Sequence, residues 1–387
     1  MPKHVSGVIK LYLCINKLPQ LKKVSFDNTE NAFYNELNAE VKAYFTQKGI
    51  ASTGDLRLYL KSVLLIGGAL GIYITLLTTI TLNPFIALAL CLLLGFLLAC
   101  IGFSVMHDAC HGSYSQSKRV NYIMGLTMNA LGSNAFIWKH KHNIIHHTYT
   151  NIDGVDDDIA KSPVLRHCYS QAYKPMHRWQ HIYMVPLYAI SSILWALLTD
   201  FDKYFKREVN GTPMPPIPVK EHIIFWGTKV LYIFFYMALP ILCVGVSKFL
   251  MGYFVANAAM GLTMALVFQL AHVVEHTAFT DATLSSDKLR ITESWAAHQM
   301  RTTSNFSMNN PVISWFVGGL NFQIEHHLFP KVSHVHYPAL SPIVQRLAQK
   351  HGLPYYCIDH FGSAVLSHFK TMRKFGQSEM DPQPAMS

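Results

Sequence analysis

Two long uncharged stretches near the start of the chain constrain its fold more than any other feature. Residues 62–82 and 85–106 contain no Asp, Glu, Lys or Arg, and only Asn83 and Pro84 separate them. About 20 apolar residues in a helix are enough to cross the roughly 30 Å hydrocarbon core of a bilayer. A connection of two residues can join only antiparallel neighbours, so these stretches predict a transmembrane helical hairpin.

The composition of the whole chain agrees with a membrane protein. Of its 387 residues, 51% are hydrophobic and 14% are charged, whereas an average soluble chain carries about 25% charged residues. The formal net charge is +10. In so apolar a chain, this charge points to anionic headgroups or a phosphate-bearing substrate and not to nucleic acid.

Two later apolar runs, at about 230–247 and 249–270, bring the predicted transmembrane helices to four. Three other runs are short or interrupted and are predicted to lie along the interface or inside the protein: 122–138, 181–201 and 311–320. We therefore expect an all-α membrane protein with four transmembrane helices, interfacial helices and a cytoplasmic cap. The predicted divisions are a cytoplasmic N-terminal segment 1–60, a membrane domain 61–340 and a cytoplasmic C-terminal tail 341–387.

Histidines form three clusters, each of which closes or follows an apolar run. Their sequences are HDACH at 107–111, HNIIHH at 142–147 and QIEHH at 323–327. On an α-helix, residues four apart share a face, so His107 with His111, and His142 with His146, can each bind one metal. Adjacent histidines point in different directions, which suits a site with two metals.

Together the clusters offer seven imidazoles: His107, His111, His142, His146, His147, His326 and His327. Seven ligands exceed what one four-coordinate zinc ion needs. They fit two metals, and all-nitrogen ligation suits iron, zinc or copper. A single site requires all three clusters on one side of the membrane, so the run 181–201 is predicted not to cross on its own but to lie along the interface or double back.

This topology leaves 31 of the 32 lysines and arginines on the side of the clusters, with only Lys248 opposite. Positively charged loops mark the cytoplasmic side, so the clusters are predicted to face the cytoplasm. Acidic residues beside the clusters are candidates to accept a hydrogen bond from the second ring nitrogen of a ligand. They are Asp108, Glu275, Glu325 and the run 156–158, with Asp156 among them; solvated loop charge is the alternative for the run.

The three boxes, with the spans between them, resemble the integral-membrane fatty acid desaturases over about residues 60–340. Gln323 stands where the first histidine of the last box is found in many members. The run NFQIEHHLFP at 321–330 looks like the front-end subgroup and its bacterial acyl-CoA or acyl-lipid relatives. Because Gln323 is a poor metal ligand, we place it beside the ligands.

The resemblance implies a centre of two non-haem iron ions that uses O2 and two electrons. Such a centre removes two hydrogens from an acyl-CoA or acyl-lipid chain and leaves a cis double bond. It also implies a further histidine ligand on the fourth span. His276 is the first candidate, and His272 is the second, binding directly or through water.

The sequence contains no His-Pro-Gly-Gly motif of the kind found in fused haem domains. We therefore expect a separate electron donor, either a ferredoxin or a cytochrome-type protein with its reductase. The resemblance also favours an enzyme of the bacterial cytoplasmic membrane.

Four basic residues near the boxes are candidates for binding the phosphates of a substrate headgroup: Lys118, Arg119, Lys139 and Lys141. Positive-inside charge explains them equally well.

Two other functions remain open, a hydroxylase or ketolase of the same superfamily and a membrane metal transporter. Transport needs ionisable groups near the middle of the membrane, and the first three predicted spans contain none.

Overall fold

The computed structural model of the chain describes residues 23–29, 31–79, 81–161, 163–282 and 288–378. The ends of the predicted N-terminal segment and C-terminal tail, 1–22 and 379–387, lie outside the described residues. Strands in the described ranges are short and occur in pairs. The parallel pairs are Lys23–Phe26 with Lys288–Ile291, Ile152–Asp153 with Thr280–Asp281, and Asn305–Phe306 with Cys357–Ile358; the antiparallel pair is Glu208–Val209 with Thr212–Pro213.

Helices make up most of the described chain, as the apolar runs predicted. Five are long and apolar enough to cross a membrane, and we number them in chain order: Leu56–Thr78, Pro84–His111, Pro175–Lys206, Val219–Val244 and Val246–His272. The shorter helices are Ala32–Lys48, Lys118–Gly125, Thr127–Ala130, Ala135–Lys139, His147–Tyr149, Trp295–Thr302, Pro311–Phe316, Gln323–Leu328, Tyr337–Lys350 and Phe361–Phe375, with a π-helical segment at His140–His146 and a 3-10 turn at His334–His336.

The first, second, fourth and fifth long helices correspond to the four predicted spans. The third contains the run 181–201, which was predicted to lie along the interface, so length and composition alone allow five crossings. Both ends of the third long helix nevertheless bind the loop that follows the second histidine cluster. Near its start, the side chain of Gln180 donates to the backbone oxygen of Arg166 at 2.8 Å. Near its end, Lys203 binds Asp157 at 2.7 Å.

The fifth long helix packs between the second and the third. Gly95 of the second helix lies so close to the backbone oxygen of Ala256 that a Cβ atom would come within 2.0 Å of it. Gly261 faces the backbone oxygen of Tyr188 in the same way, at 2.7 Å. Small residues let transmembrane helices approach closely. These close contacts between helices place the end of the fifth long helix, at His272, beside the histidine clusters.

The short helices form a cap over one end of the long helices. Helix Ala32–Lys48 packs Phe33, Leu37 and Val41 against helix Tyr337–Lys350. It ends at Gly49, whose φ of 62° is the left-handed conformation common at helix ends. Helix Tyr337–Lys350 runs through the predicted boundary at residue 341. The following helix, Phe361–Phe375, buries Met372 and Phe375 against the third long helix, so the described part of the predicted tail is packed onto the cap.

Candidate metal centre

The first histidine cluster continues the second long helix. After Ile101 the helix loosens into a π-helical turn, Gly102–Met106, and then resumes at His107–His111. Both histidines are buried, with 3% and 9% of their surfaces exposed, and their ring centroids lie 4.6 Å apart. The four-residue spacing thus brings the two rings together, as predicted.

The second cluster lies on a π-helical segment, His140–His146, where the sequence predicted an α-helix. Hydrogen bonds in a π-helix join residues five apart, so the segment brings His142 and His147 to one face. Their Nε2 atoms lie 3.2 Å apart. The ring of His146 stacks on that of His142 at 5.2 Å and also contacts the ring of His272 at 4.7 Å.

The third cluster lies on the short helix Gln323–Leu328, where adjacent histidines diverge. The ring of His326 lies 4.4 Å from that of His107, and the ring of His327 lies 4.8 Å from that of His272. The helix therefore contributes one imidazole to each of two groups.

Within each of these groups, the candidate ligand atoms all lie within 4.8 Å of one another. The first group is His107, His111, His142 and His326; the second is His146, His272 and His327. His147 lies between them, with ring centroids 4.8 Å from His111 and 4.4 Å from His327. All seven box histidines are brought together, and His272 joins them.

Seven of these eight histidines have a buried ring nitrogen that makes no hydrogen bond in the described part of the chain. These atoms are Nε2 of His107, His111, His146, His272, His326 and His327, and Nδ1 of His147. A buried polar atom without a hydrogen bond is costly. So many in two compact groups fit metal binding, because neutral imidazole nitrogen is a common metal ligand.

Comparisons with known proteins agree with this arrangement. The sequence model of the family described as fatty acid desaturase matches residues 83–359. The sn-1 linoleoyl-lipid 6-desaturase of Arthrospira platensis is 33% identical, over 91% of this chain and 94% of its own length. The enzyme of the same name from Synechocystis sp. is 32% identical, over 90% and 97%. The acyl-lipid (8-3)-desaturase of Physcomitrium patens is 34% identical, over 98% and 80%.

The chain belongs to the fatty acid desaturase family. It is therefore a membrane oxidoreductase that acts on fatty acyl chains, as the three boxes implied.

The second ring nitrogens of several cluster histidines are bound by other parts of the desaturase. In the second group, Nδ1 of His146 lies 3.1 Å from Asp156, and Nδ1 of His272 lies 3.3 Å from the backbone oxygen of Thr302. The two histidines of the third box have side-chain partners. Nδ1 of His326 lies 3.0 Å from the hydroxyl of Tyr337, and Nδ1 of His327 lies 2.8 Å from Oε1 of Gln299. Such contacts fix the tautomer and orientation of a ligand. The sequence pointed to Asp156 but gave no signal for Tyr337, Gln299 or Thr302, which lie outside the boxes.

Asp108 lies beside His107, one of the candidate metal ligands. Its Oδ1 lies 3.9 Å from Nδ1 of His107, while its Oδ2 binds Nδ1 of His334 at 3.0 Å and the hydroxyl of Ser333 at 2.7 Å. On its other side, His334 lies 3.4 Å from Nζ of Lys61 in the first long helix. Asp108 thereby ties the first cluster to the cap and to that helix.

The three other residues predicted to support the ligands, Glu325, Gln323 and Glu275, have different surroundings. Glu325 is buried and accepts hydrogen bonds from the side chain of Asn305 at 2.9 Å and from Tyr355 at 2.7 Å. Burial raises the pKa of its carboxyl to about 7. These two hydrogen bonds anchor the third box to the cap. Gln323 is buried, and its Oε1 has no partner within the described ranges; Glu275 is exposed.

The structure places the two candidates from the fourth predicted span differently, His272 among the box histidines and His276 away from them. The fifth long helix ends at His272, which is 3% exposed and belongs to the second group. His276, the first candidate, lies beyond the helix end, is exposed, and stacks on Tyr356 at 5.7 Å. The two residues do not share a helix face, because the chain turns away at Val273.

The candidate headgroup residues have different surroundings. Lys118 and Arg119 are exposed at the start of the helix after the first box, and Lys139 is partly exposed. Lys141 instead binds Asp158 at 2.6 Å and Asp157 at 3.3 Å. Although burial opposes its charge, the two carboxylates hold the pKa of Lys141 above its usual value. This internal pairing leaves Lys141 a weaker candidate for binding phosphate.

Burial controls the charge of the clusters. It lowers the pKa of His142, His147, His326 and His327 well below the usual value for histidine, and the neighbouring imidazoles lower these pKa values further. These rings are therefore neutral, the form that binds metals. For His146, burial acts in the same direction, but Asp156 and Asp158 outweigh it and raise its pKa.

Proposed function

We propose that this chain is an oxygen-dependent acyl-lipid desaturase with two non-haem iron ions. The observation that carries the proposal is the set of seven buried ring nitrogens without partners among the described residues: three in each of the two groups and one on His147, which lies between them. His107, His111, His142 and His326 would hold one iron, and His146, His272 and His327 the other. His147 lies where it can serve either. The three-histidine group leaves room for oxygen or substrate.

When bound, the irons supply with O2 the oxidising chemistry that removes hydrogen from an unactivated methylene, which no acid or base can do. Residues around the histidines fix the positions of the imidazole ligands and exclude water from the site. Asp156, Tyr337 and Gln299 orient three of the imidazoles. Trp138 stacks on His142 at 4.3 Å and packs with Met106 and Met128, forming an apolar wall beside the first group.

The names of the relatives support a lipid-bound acyl chain as the substrate. Three similar proteins, at 32–34% identity over 90% or more of this chain, are named as linoleoyl-lipid or acyl-lipid desaturases. We therefore favour an acyl lipid over an acyl-CoA and a cis double bond as the product. We place the histidine cap on the cytoplasmic side of the membrane, where most of the positive charge lies, and retain a bacterial cytoplasmic membrane as the location.

The required electrons would come from a separate protein, a ferredoxin or a cytochrome-type donor with its reductase. This expectation rests on the sequence, which contains no His-Pro-Gly-Gly motif of the kind found in fused haem domains. Purified protein should turn over only when such a donor is added. Full turnover with NADPH alone would contradict this part of the proposal.

The function is tested by expression in a host with a simple lipid profile. Mass spectrometry of the lipids should show the loss of two hydrogens from one acyl position, and the position of the double bond can then be located. His142→Ala should remove the product, whereas His276→Ala, which alters a histidine outside both groups, should preserve it. A gain of oxygen in place of the double bond would instead identify a hydroxylase.

A further inference from the structure

A tryptophan at the surface of the cap is hydrogen-bonded to the main chain of the histidine that lies between the two groups. Nε1 of Trp295 donates to the backbone oxygen of His147 at 3.0 Å. The ring of His147 lies 4.8 Å from that of His111 in the first group and 4.4 Å from that of His327 in the second. One hydrogen bond therefore joins the indole ring to a residue that contacts both groups.

Trp295 differs in exposure from other side chains that contact the clusters. Asp156, Tyr337 and Gln299 bind ring nitrogens of the clusters, and all three are buried. Trp138, which stacks on a ring of the first group, is buried as well. Trp295 is partly exposed. Its indole ring thus reaches from the surface of the protein to the main chain of a candidate ligand.

The surface around Trp295 faces water and not lipid. The exposed residue Asn28 accepts a hydrogen bond from the backbone nitrogen of Trp295 at 3.0 Å. Beside Asn28, Asp27 binds Arg290 at 2.7 Å, and the Arg290 side chain is 67% exposed. A charged side chain in contact with hydrocarbon is costly. A water-soluble protein can therefore reach this surface.

A second aromatic ring enlarges the surface. Tyr34, which is partly exposed on helix Ala32–Lys48, contacts Trp295 edge to face with 5.3 Å between the ring centroids. Tyrosine, tryptophan and arginine are the residues most enriched where protein partners bind strongly. We call Tyr34, Trp295, Asn28 and Arg290 the Trp295 surface. Its two aromatic rings within a polar rim are typical of the centre of a protein interface.

We propose that a one-electron carrier protein docks on the Trp295 surface and that its electrons pass from Trp295 through the hydrogen bond to His147. This inference rests on the proposed function, since it assumes a separate donor and two bound metals. The donor class is a ferredoxin or a small cytochrome, and each donor molecule gives up one electron and leaves oxidised. Two such electrons, two protons from water and the two hydrogens removed from the acyl chain reduce one O2 to two water molecules. Because His147 contacts both groups, one entry point serves both metal sites.

Docking can be measured without turnover. The probe is whichever of a plant-type ferredoxin and a cytochrome b5 supports double-bond formation by the wild type. In its oxidised form it would be titrated against iron-loaded enzyme in lipid nanodiscs. Trp295→Ala should weaken this binding about 30-fold, the loss expected for a tryptophan at the centre of an interface. Trp179→Ala is the matched control, because Trp179 is 54% exposed at the start of the third long helix and packs only its ring face on Arg178; it should keep the wild-type affinity.

A second variant separates electron transfer from docking. Trp295→Phe keeps an aromatic ring for the donor but removes the hydrogen bond to His147. Oxidation of the reduced donor, followed by its visible absorbance in the absence of O2, should lose most of its rate. Reduction by dithionite, a small molecule that needs no docking surface, should keep the wild-type rate, and the iron content per chain should match the wild type.

Three results would overturn the inference. Trp295→Ala could bind the donor as tightly as the wild type, or Trp179→Ala could lose as much affinity as Trp295→Ala. Trp295→Phe could also slow reduction by dithionite as much as reduction by the donor, in which case Trp295 only holds the main chain of His147. A wild-type enzyme that forms no double bond with either donor contradicts the proposed function itself, so the two failures are distinguishable.

Discussion

Replacing His272 should cost the desaturase one of the two metals that we propose it binds. His272 contributes one of three imidazoles to the second group, and its Nε2 is buried without a protein partner. Structural zinc sites with four ligands bind with about 10–16 kcal/mol, or about 2.5–4 kcal/mol for each ligand. His272→Ala should therefore weaken the second metal about 10²–10³-fold. The first group, which does not include His272, should keep its metal.

His276→Ala is the matched control, because His276 lies only four residues after His272, beyond the end of the fifth long helix. His276 is exposed and stacks on Tyr356, so its loss should leave both metals in place. The assay is iron content per chain after dialysis against a graded series of chelator concentrations, with membrane insertion and size-exclusion behaviour checked for each variant. The reasoning is refuted if His276→Ala loses iron while His272→Ala retains both ions.

Three further predictions concern the surroundings of the clusters. Asp156→Asn removes the charge that faces His146 and should weaken metal binding about 10–100-fold. Asp153→Asn alters a carboxylate in the same loop that binds Ser170 and Gln171, and it should leave metal binding unchanged. Equal losses of iron from the two variants would argue against a specific role for the contact between Asp156 and His146. His334→Gln should also lower metal affinity, by up to about tenfold, because it releases Asp108 beside His107; an unchanged chelator titration would contradict this. Single cysteines at Ser170 and Asp202, which flank the core of the third long helix, should react with an impermeant label from the same side of the membrane, and labelling from opposite sides would establish a crossing.

The box histidines could be predicted from the sequence because short-range spacing determines which residues share a helix face. His107 and His111 meet in this way, and the divergence of His326 from His327 follows from their adjacency. The hairpin of the first two long helices was equally predictable, because a connection this short, residues 79–83 in the structure, leaves no other arrangement for two spans. These features depend on local geometry alone.

Other parts of the site depend on tertiary structure that no local pattern reveals. The π-helical segment at 140–146 brings His142 to His147, whereas the spacing of His142 and His146 was interpreted on an ordinary α-helix. The sequence placed His272 and His276 near the end of a span but could not show that the helix stops at His272. Tyr337 and Gln299 reach His326 and His327 through the packing of separate cap helices, so their roles appear only in the fold.

The number of irons in active protein tests the central claim most directly. Iron would be determined per chain in purified wild-type desaturase, together with the rate of double-bond formation in the presence of O2 and an electron donor. We predict two irons per chain and a rate that falls with the iron content as chelator removes it. One iron per chain at full activity, or active protein that contains only zinc, would contradict the account.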